Sequence, residues 1–452
     1  MSESLEKEIV SFLEHHPDVK AFDVLIPDMN GVFRGKRVTL EKFKKISSDG
    51  MFLPASVFGM DVVGETMEET GLGISSGDSD RHCSLIPGSL KPIPWQPGIG
   101  QMMLAMEEKD GSPFYGNPRE VLKNLLKKND LQGFQWKAAF ELEFFVIESQ
   151  KGNDETTKIP DSLNTETSEG QLYSIGSLEL CRKWLEEIVE NCASMGVPAD
   201  TSVAELAPGQ FEINLHHVND PLLACDHALN LKQVVKGTLR NHGMKATFMA
   251  KPFASLPGSG MHLHLSLYDN QGENLLAPRN SKKLNQAVSG ILDLMPESMI
   301  FCAPHANSYH RFEENSYAPI NATWGKDNRT TALRIPSGNE DSTRIEHRLS
   351  GADANPYLAL SAALASGLYG IAHQIEPEPM VVGNAYAQAQ PEALALPSSL
   401  AAAADRFRQS TVTRELFGSE FVEHFAASRM WEAAEARKRV TDWELARYFE
   451  II

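Results

Sequence analysis

Two glutamates stand two residues apart inside an apolar run, Phe140-Glu141-Leu142-Glu143-Phe144-Phe145. Such a run is typical of a buried strand, and residues i and i+2 of a strand point to the same face. Burial of two like charges side by side is costly unless a cation joins them or one is protonated. The pattern therefore favours a divalent metal site or a paired acid. The alternative is an edge strand whose glutamate face is solvated, since alternation is typical of half-exposed strands.

The charge of the chain excludes one class of partner. The 452 residues carry a formal net charge of -18. Binding of a polyanion requires clustered Lys and Arg residues, and the sequence contains no such run. We therefore expect no nucleic-acid partner. The acidic balance is compatible with metal binding, with attraction of a cationic substrate, or with a solvated acidic surface.

Signal peptides and membrane-spanning segments indicate where in the cell a protein is located. The first residues lack the basic flank and apolar core of a signal peptide, and no apolar stretch approaches the roughly 20 residues that span a bilayer. We expect a cytoplasmic protein with no membrane partner. The five cysteines are scattered without C-x-x-C spacing, so we expect reduced thiols rather than a disulfide framework or a zinc site.

The first part of the chain is predicted to form a small β-rich domain, residues 1–111. Residues 21–40 give a hairpin signal with a turn at Asp28-Met29-Asn30-Gly31. A loop-rich stretch follows from Gly59 to Trp95, and Gln101–Met106 reads as a strand. The turn at Asp110-Gly111-Ser112-Pro113 marks the predicted boundary.

Residues 112–452 are predicted to form a second domain of the α+β class, with polar side chains inside a sheet and helices outside it. Helices are signalled after Asn117-Pro118, from Ser177 to Met195, and from Asp220 to His242. Strands are predicted at 205–215, 246–252, 261–268 and 331–335. After residue 351 the chain is predicted to be mostly helical.

Two further motifs carry candidate ligands. Glu205 and Glu212 flank Pro208-Gly209, which breaks the strand and allows the chain to bring both acids towards one point. A glycine-rich loop, Pro257-Gly258-Ser259-Gly260, precedes a strand that places His262 and His264 on one face. Such a loop allows the backbone to approach a ligand closely. A lone histidine is more often a hydrogen-bonded core residue than a ligand.

A series of arginines completes the inventory: Arg311, Arg329, Arg334, Arg344 and Arg348, with Glu346 between the last two. Guanidinium groups suit phosphate and carboxylate recognition because they offer a planar bidentate fork, although a structural salt-bridge cluster is equally possible. Oxygen-rich metal ligands, arginines and a glycine loop together fit phosphoryl transfer from a magnesium nucleotide. The sequence has no Walker-type loop and no kinase signature, so a nucleotide site of another kind is required.

These residues resemble the class I glutamine synthetases over nearly the whole chain. The stretch from Lys251-Pro252 to Ser266 resembles the ATP-region signature of that family. Its other landmarks have counterparts in the same order, at Asn307-Ser308-Tyr309-His310-Arg311, Asn328-Arg329, Arg334-Ile335-Pro336 and Ala354-Asn355-Pro356-Tyr357. Within the superfamily the chain is most similar to the γ-glutamylputrescine synthetases, through Ala322-Thr323-Trp324-Gly325 and Gly351-Ala352-Asp353 among others.

The resemblance implies two or more divalent ions, Mg²⁺ or Mn²⁺, in each site, with ATP as co-substrate. One ion would be held by Glu143, Glu205 and Glu212. The second would be held by Glu141, His262 and Glu346.

The resemblance also assigns the substrate contacts. The carboxylate of glutamate would be bound by Arg311 and Arg348, beside Gly258. The phosphates would face Arg329 and Arg334, and the nucleotide would be surrounded by His264, Ser266 and Arg344. Asp61 aligns with the aspartate that binds ammonium across a subunit boundary.

The fold and assembly of the family are expected as well. They comprise a β-grasp-like N-terminal domain and a catalytic domain with a curved antiparallel sheet flanked by helices. The resemblance implies a homo-oligomer of stacked hexameric rings, with active sites between neighbouring subunits and small molecules as the other partners.

The chain departs from the glutamine synthetase pattern at positions that bear on the choice of amine. Those enzymes carry a glutamate before an Ala-Pro in the flap that closes the site, and this chain has Tyr317 before Ala318-Pro319. A phenol in place of an anion removes one attraction for a small cation and supplies an aromatic wall suited to an alkyl chain. The segment after the aligned aspartate reads Asp61-Val62-Val63-Gly64, and Pro257 stands where many glutamine synthetases have Asn.

The sequence therefore predicts a carbon-nitrogen ligase that joins the γ-carboxylate of glutamate to an amine, such as putrescine, through γ-glutamyl phosphate. Asp61 is the expected base, Arg329 would offset charge on the transferred phosphoryl group, and Tyr317 would shape the amine pocket. Two alternatives remain at this point. One is a glutamine synthetase that uses ammonium, and the other is an assembly protein with the fold but no chemistry.

Overall fold

The computed structural model describes residues 3–130, 133–149, 158–163, 172–388 and 391–452. The first sheet is built from β1 Ala21–Pro27, β2 Phe33–Thr39, β3 Met51–Pro54, β4 Asp80–Leu85, β5 Lys91–Pro92 and β6 Ile99–Met106. The second sheet is built from β7 Gln135–Glu148, β8 Ala199–Ala204, β9 Gln210–Leu215, β10 Met244–Thr247, β11 Met261–Tyr268, β12 Trp324–Lys326, β13 Leu333–Ile335 and β14 Ile345–His347.

The helices are distributed along the whole chain. Those before the last strand are α1 Glu3–His15, α2 Leu40–Asp49, α3 Pro118–Asp130, α4 Ile175–Leu180, α5 Arg182–Ser194, α6 Pro221–Asn241 and α7 Ser281–Cys302. Those after it are α8 Pro356–His373, α9 Leu400–Gln409, α10 Thr411–Phe417, α11 Ser419–Arg437 and α12 Asp442–Tyr448.

The first sheet begins with the predicted hairpin. Strands β1 and β2 pair antiparallel, and Gly31 at their turn adopts a φ of 72°, a conformation that glycine accepts without a Cβ penalty. The strand order is β2-β1-β6-β4-β3, with β5 paired to β6, and β1 runs parallel to β6.

The second sheet is organised around the strand that carries the paired glutamates. Its order is β12-β13-β14-β11-β7-β9-β8, with β10 also paired to β7. All of its pairs are antiparallel except β12 with β13 at the edge. Along β7, Trp136, Phe140 and Phe144 are buried on the face that packs on helices such as α6. The opposite face presents Glu141 and Glu143.

The two sheets do not have wholly separate cores. Phe22, Phe43 and Phe58 of the N-terminal region belong to the same hydrophobic cluster as Phe301 and Phe425 of α7 and α11. The N-terminal sheet therefore depends on helices from the far end of the chain for part of its apolar burial. A domain boundary after residue 111 stays a prediction.

The fold confirms the predicted α+β class and differs locally from the sequence pattern. The segment 177–195 forms two helices, α4 and α5, which meet at Cys181. The predicted strand from 205 to 215 begins only at Gln210, because Gly209 takes a φ of 71° and Glu205 lies in the turn after β8. The five cysteines are buried, and their thiols are free. Within the described residues, no helix is both long and apolar enough to cross a membrane.

Candidate active site

Strand register places four candidate ligands on one face of the second sheet. Glu143 of β7 pairs with Glu212 of β9, and Glu141 of β7 pairs with His262 of β11. Because side chains alternate along each strand, residues two apart on β7 join the two pairs into one group. We call Glu141, Glu143, Glu205, Glu212 and His262 the acidic face.

Strand pairing also places residues of β14 and β13 beside this group, towards the edge of the sheet. His264 of β11 pairs with Glu346 of β14, and Glu346 pairs with Arg334 of β13. An Arg334 Nη1 to Glu346 Oε2 distance of 2.5 Å marks an ion pair, and Arg348 donates to the other oxygen of Glu346. Although burial opposes ionisation, Arg348 and its cationic neighbours lower the pKa of Glu346 to about 2.

Three side chains of the acidic face are arranged to hold a metal ion. Ligand atoms of Glu141, Glu212 and His262 all lie within 4.8 Å of one another. Carboxylate oxygens and imidazole nitrogens are suitable donors for divalent ions such as Mg²⁺, Mn²⁺ or Zn²⁺. The predicted division of the six ligands between two ions stays a prediction, and this group of three draws members from both predicted sets.

Histidines hold Glu141 ionised. Nδ1 of His262 lies 3.2 Å from Glu141 Oε2, and Nε2 of His264 lies 2.9 Å from Glu141 Oε1. Burial opposes the charge, but these contacts hold the pKa of Glu141 well below its usual range. The Nε–H of Arg344 donates to Nδ1 of His264 at 3.0 Å, so Nε2 carries the proton of the neutral His264 ring.

The other carboxylates of the acidic face repel one another. Burial, reinforced by Glu141, Glu143 and Glu205, raises the pKa of Glu212 to about 9. Burial and then the charge of Glu143 raise the pKa of Glu205 to about 7. A bound divalent cation would neutralise this repulsion, so the donor set fits the metal that the sequence predicts.

Two glycines of the glycine loop are closely packed, and one of them, Gly260, contacts the acidic face. The N–H of Gly260 donates to Glu143 Oε2 at 2.8 Å, and a Cβ at Gly260 would lie 2.9 Å from Arg311 Nη2 and 3.1 Å from His262 Nε2. A Cβ at Gly258 would lie 2.6 Å from the Ala250 carbonyl oxygen. Sequence reasoning selected Gly258 but missed Gly260, for which the adjoining Gly-Met-His pattern was the available signal.

The two arginines predicted to bind glutamate are buried beside this loop. Arg311 donates to the carbonyl oxygen of Leu349 at 2.9 Å and to that of Arg348 at 3.3 Å. Burial lowers the pKa of Arg311, and the charge of Glu143 opposes that shift. The Nε of Arg348 is buried and has no hydrogen-bond acceptor among the described residues. An anionic substrate group would supply that acceptor.

A cavity of about 370 Å³ adjoins the acidic face on the His264 side. Its lining includes Glu141 and three of the four residues predicted to bind the nucleotide, His264, Ser266 and Arg344. The fourth, Arg334, does not line this cavity and instead lies between Glu346 and Asp327. The described residues therefore bring most of the predicted nucleotide site together.

Tyr317 and Arg329 line a different cavity, of about 410 Å³. Tyr317 is 60% exposed and has a φ of 60°, which is strained for an aromatic residue. Its loop is tied down at both ends, since the Tyr386 hydroxyl donates to the Ala318 carbonyl at 3.0 Å and Lys251 Nζ lies 3.1 Å from Glu313 Oε2. We call this space the flap cavity.

Asp61 is not part of the acidic face of its own chain. It is buried in the N-terminal region, where its Oδ1 accepts from the backbone N–H groups of Val63, Gly64 and Glu65 at 2.8–3.0 Å. Arg34 donates to its carbonyl at 2.8 Å. Among the residues described, no hydrogen bond or ion pair joins Asp61 to the acidic face.

Comparison with known proteins identifies the family. The family model described as "Glutamine synthetase, catalytic domain" matches residues 115–448. The chain belongs to the glutamine synthetase family. The resemblance drawn from its sequence motifs is therefore confirmed.

Relatives of this glutamine synthetase family member include enzymes named for amines larger than ammonia. The chain is 40% identical to the gamma-glutamylputrescine synthetase PuuA of Escherichia coli (strain K12), over 97% of this chain and 93% of that protein. It is 35% identical to the glutamate–isopropylamine ligase of Pseudomonas sp, with both proteins covered completely. A solved structure described as a GmaS/ADP complex has a TM-score of 0.85 and 27% identity, and the match covers 97% of this chain and 99% of that one.

The raised pKa values predict a pH-dependent stability. Folding with Glu212 protonated stabilises the protein at low pH, and this contribution is lost as the pH rises from the ordinary pKa of 4.5 towards about 9. In the presence of a chelator, the free energy of unfolding should therefore fall over this range by on the order of 1 kcal/mol per pH unit, and the melting temperature should fall with it. Added Mg²⁺ should restore stability, most strongly at high pH, because it binds the ionised carboxylates.

Differential scanning fluorimetry across pH, with chelator or with Mg²⁺, measures this effect. Glu212→Gln is the matched variant, because it removes the titrating group and keeps the shape of the side chain. The interpretation is wrong if this variant shows the same pH dependence as the unaltered protein.

Proposed function

We propose that this protein uses ATP to ligate the γ-carboxylate of glutamate to an amine, with putrescine and related polyamines as the acceptor class. The observation that carries the proposal is the acidic face, which lies between buried arginines on one side and the cavity of His264 and Arg344 on the other. Charge-stabilising groups on both sides of a metal site suit phosphoryl transfer to a carboxylate. The names of its relatives support an amine acceptor, and the family as a whole uses ATP and divalent metals.

The metal proposal assigns two or more Mg²⁺ or Mn²⁺ ions to the six ligands. Glu143, Glu205 and Glu212 form one set, and Glu141, His262 and Glu346 form the other. Bound there, the ions would neutralise negative charge on the phosphates and on the attacking carboxylate. The solved structure described as a GmaS/ADP complex supports a nucleotide as co-substrate. We place the nucleotide in the cavity lined by His264, Ser266 and Arg344.

The first step is activation of glutamate. Arg311 and Arg348 hold its α-carboxylate near Gly258, so that an oxygen of the γ-carboxylate attacks the terminal phosphorus of ATP. The bond from that phosphorus to the bridging oxygen breaks, and ADP and γ-glutamyl phosphate form. Arg329 and Arg334 offset the negative charge that accumulates on the transferred group.

The second step transfers the glutamyl group to the amine. A protonated amine has no free electron pair, so a base must take a proton before the nitrogen attacks the acyl carbon and phosphate leaves. Asp61 of a neighbouring subunit is the proposed base, and its hydrogen bonds within its own chain are to the N–H groups of Val63, Gly64 and Glu65. Tyr317 shapes the space around the reactive nitrogen from the flap.

The acceptor is tested by measuring phosphate release from ATP with glutamate and a panel of amines: ammonium, methylamine, ethanolamine, putrescine and spermidine. We expect putrescine or spermidine to give the highest kcat/KM. Better catalytic efficiency with ammonium than with every amine would instead establish a glutamine synthetase. No turnover with any acceptor, despite metal binding, would support a protein without catalytic function.

The flap position is tested by Tyr317→Glu, with Tyr317→Phe as the control that keeps the aromatic ring. A carboxylate at this position attracts a small cation, so kcat/KM for ammonium should rise relative to that for putrescine by about tenfold, equal to 1.4 kcal/mol. Tyr317→Phe should leave the ratio nearly unchanged. An unaltered ratio in the glutamate variant, with the melting temperature retained, would place acceptor choice elsewhere.

We also propose a homo-oligomer of stacked hexameric rings whose active sites lie between subunits, located in the cytoplasm where ATP and glutamate are supplied. Two observations support the assembly. No hydrogen bond or ion pair among the described residues joins Asp61 to the acidic face of its own chain, and the segment around α12 exposes large apolar side chains, including Val440, Trp443, Phe449 and Ile451. Exposed apolar patches of this kind mark protein interfaces.

Removal of residues 440–452 should therefore weaken the association between rings, because it deletes this exposed apolar surface. Mass photometry should show a shift from dodecamers to smaller species. The matched control is a chain with Trp443→Ala alone, which should give a smaller shift. Retention of the full assembly after truncation would contradict the role given to this segment.

A further inference from the structure

A third cavity, of about 370 Å³, lies beside Glu205. Its lining includes Ser174, Gly176, Ser177, Leu180, Ala207 and Pro208, together with Glu205 itself. Glu205 is the one charged side chain among the described residues that line it. This volume is within the range of sites that bind small molecules, roughly 300–1,000 Å³. We call it the Glu205 cavity.

The walls of the Glu205 cavity are held by specific contacts. The N–H of Tyr173 donates to the carbonyl of Ala204 at 2.9 Å, which fixes the start of α4 against the end of β8, one residue before Glu205. Ser174 caps α4 by accepting from the N–H of Ser177 at 3.1 Å. The opposite wall is the turn between β8 and β9, with Pro208 in it. The cavity is therefore formed by two anchored segments with Glu205 between them.

We propose that the Glu205 cavity binds the alkyl chain of the acceptor amine and so sets which chain lengths are accepted. This inference rests on the proposed function. The reactive nitrogen would lie beside Glu205, and the methylene groups would contact Leu180, Ala207 and Pro208. The hydroxyls of Ser174 and Ser177 offer oxygen acceptors to a second ammonium group. A carboxylate has about four lone-pair positions, so Glu205 is able to accept from an amine while it also contacts a metal ion.

Electrostatics favours this cavity over the flap cavity for a cationic chain. The flap cavity is lined by Lys326 and Arg329 as well as Asp327, and Asp327 already accepts from Ser337. A second ammonium group there would meet two cations and one engaged carboxylate. In the Glu205 cavity the described lining residues other than Glu205 are neutral, so a second ammonium group at the Ser174 end would meet no cation in the lining.

The test is to shorten the Glu205 cavity with Gly176→Leu. A Cβ at Gly176 would lie 3.7 Å from Ser174 Oγ and meet no other atom of the described residues within 4 Å. Because Gly176 lines the cavity, the added side chain has room to extend into it. KM for putrescine and spermidine should rise about tenfold or more, as expected when a pocket loses the volume for one or more methylene groups. KM for methylamine, and kcat with it, should stay nearly unchanged.

Two controls define the result. Gly176→Ala adds a single methyl group and should have a small effect. Val382→Phe adds bulk to the flap cavity at a side chain that is 84% exposed, and it should not discriminate between long and short amines. If Val382→Phe raises KM for long amines and Gly176→Leu does not, the alkyl chain lies in the flap cavity and the inference is overturned.

A second variant should improve the binding of putrescine rather than weaken it. Leu180 is 63% exposed and lines the Glu205 cavity, so Leu180→Glu is compatible with the fold and adds an anion near the proposed position of the second ammonium group. KM should fall for putrescine but not for butylamine, which has the same carbon chain and one ammonium group. Equal effects on both amines would overturn the inference. Failure of the unaltered enzyme to use any amine would instead reject the proposed function.

Discussion

Electrostatic repulsion among carboxylates on one face of a strand is the constraint around which this protein is built. Glu141 and Glu143 share that face with Glu212, and strand pairing leaves them no means of separating. The surrounding residues compensate locally: histidines contact Glu141, the N–H of Gly260 contacts Glu143, and arginines pair with Glu346. Among the described residues Glu212 has no ion pair of this kind, and burial and the neighbouring carboxylates outweigh the favourable charge of Arg348. This uncompensated negative charge makes the face suited to a divalent cation.

The acidic face and the acceptor region are built from different kinds of structure. The ligands of the acidic face stand mainly on β7, β9 and β11, whose opposite sides are fixed by core residues such as Trp136 and Phe144. Tyr317 and Asp61 stand on loops, and Glu205 lies in a turn. Phosphoryl transfer requires rigid positioning of charge, whereas acceptor choice changes with a few loop side chains. This division accounts physically for a family in which relatives are named for different amines.

The sequence predicted features that are encoded locally. The alternation around Glu141, the strand Met261–Tyr268 and the helix that begins at Pro221 are each specified by neighbouring residues, and the structure has them at those positions. Features that depend on pairing between distant segments were not predicted from the pattern. The opposition of His264 and Glu346 and the position of Gly260 between Arg311 and His262 follow from long-range register. The family resemblance supplied the grouping of site residues that spacing alone left open.

The core shared by the N-terminal sheet and the C-terminal helices sets an order of events during synthesis. Phe22 and Phe43 leave the ribosome early, but Phe301 and Phe425 follow only after most of the chain has been translated. At roughly 5–20 residues per second, the early segment waits on the order of tens of seconds for these partners. During that interval its apolar surface is incompletely covered, and exposed apolar surface of this kind favours aggregation. The hydrophobic core of the N-terminal sheet is thus completed only after the C-terminal helices have been synthesised.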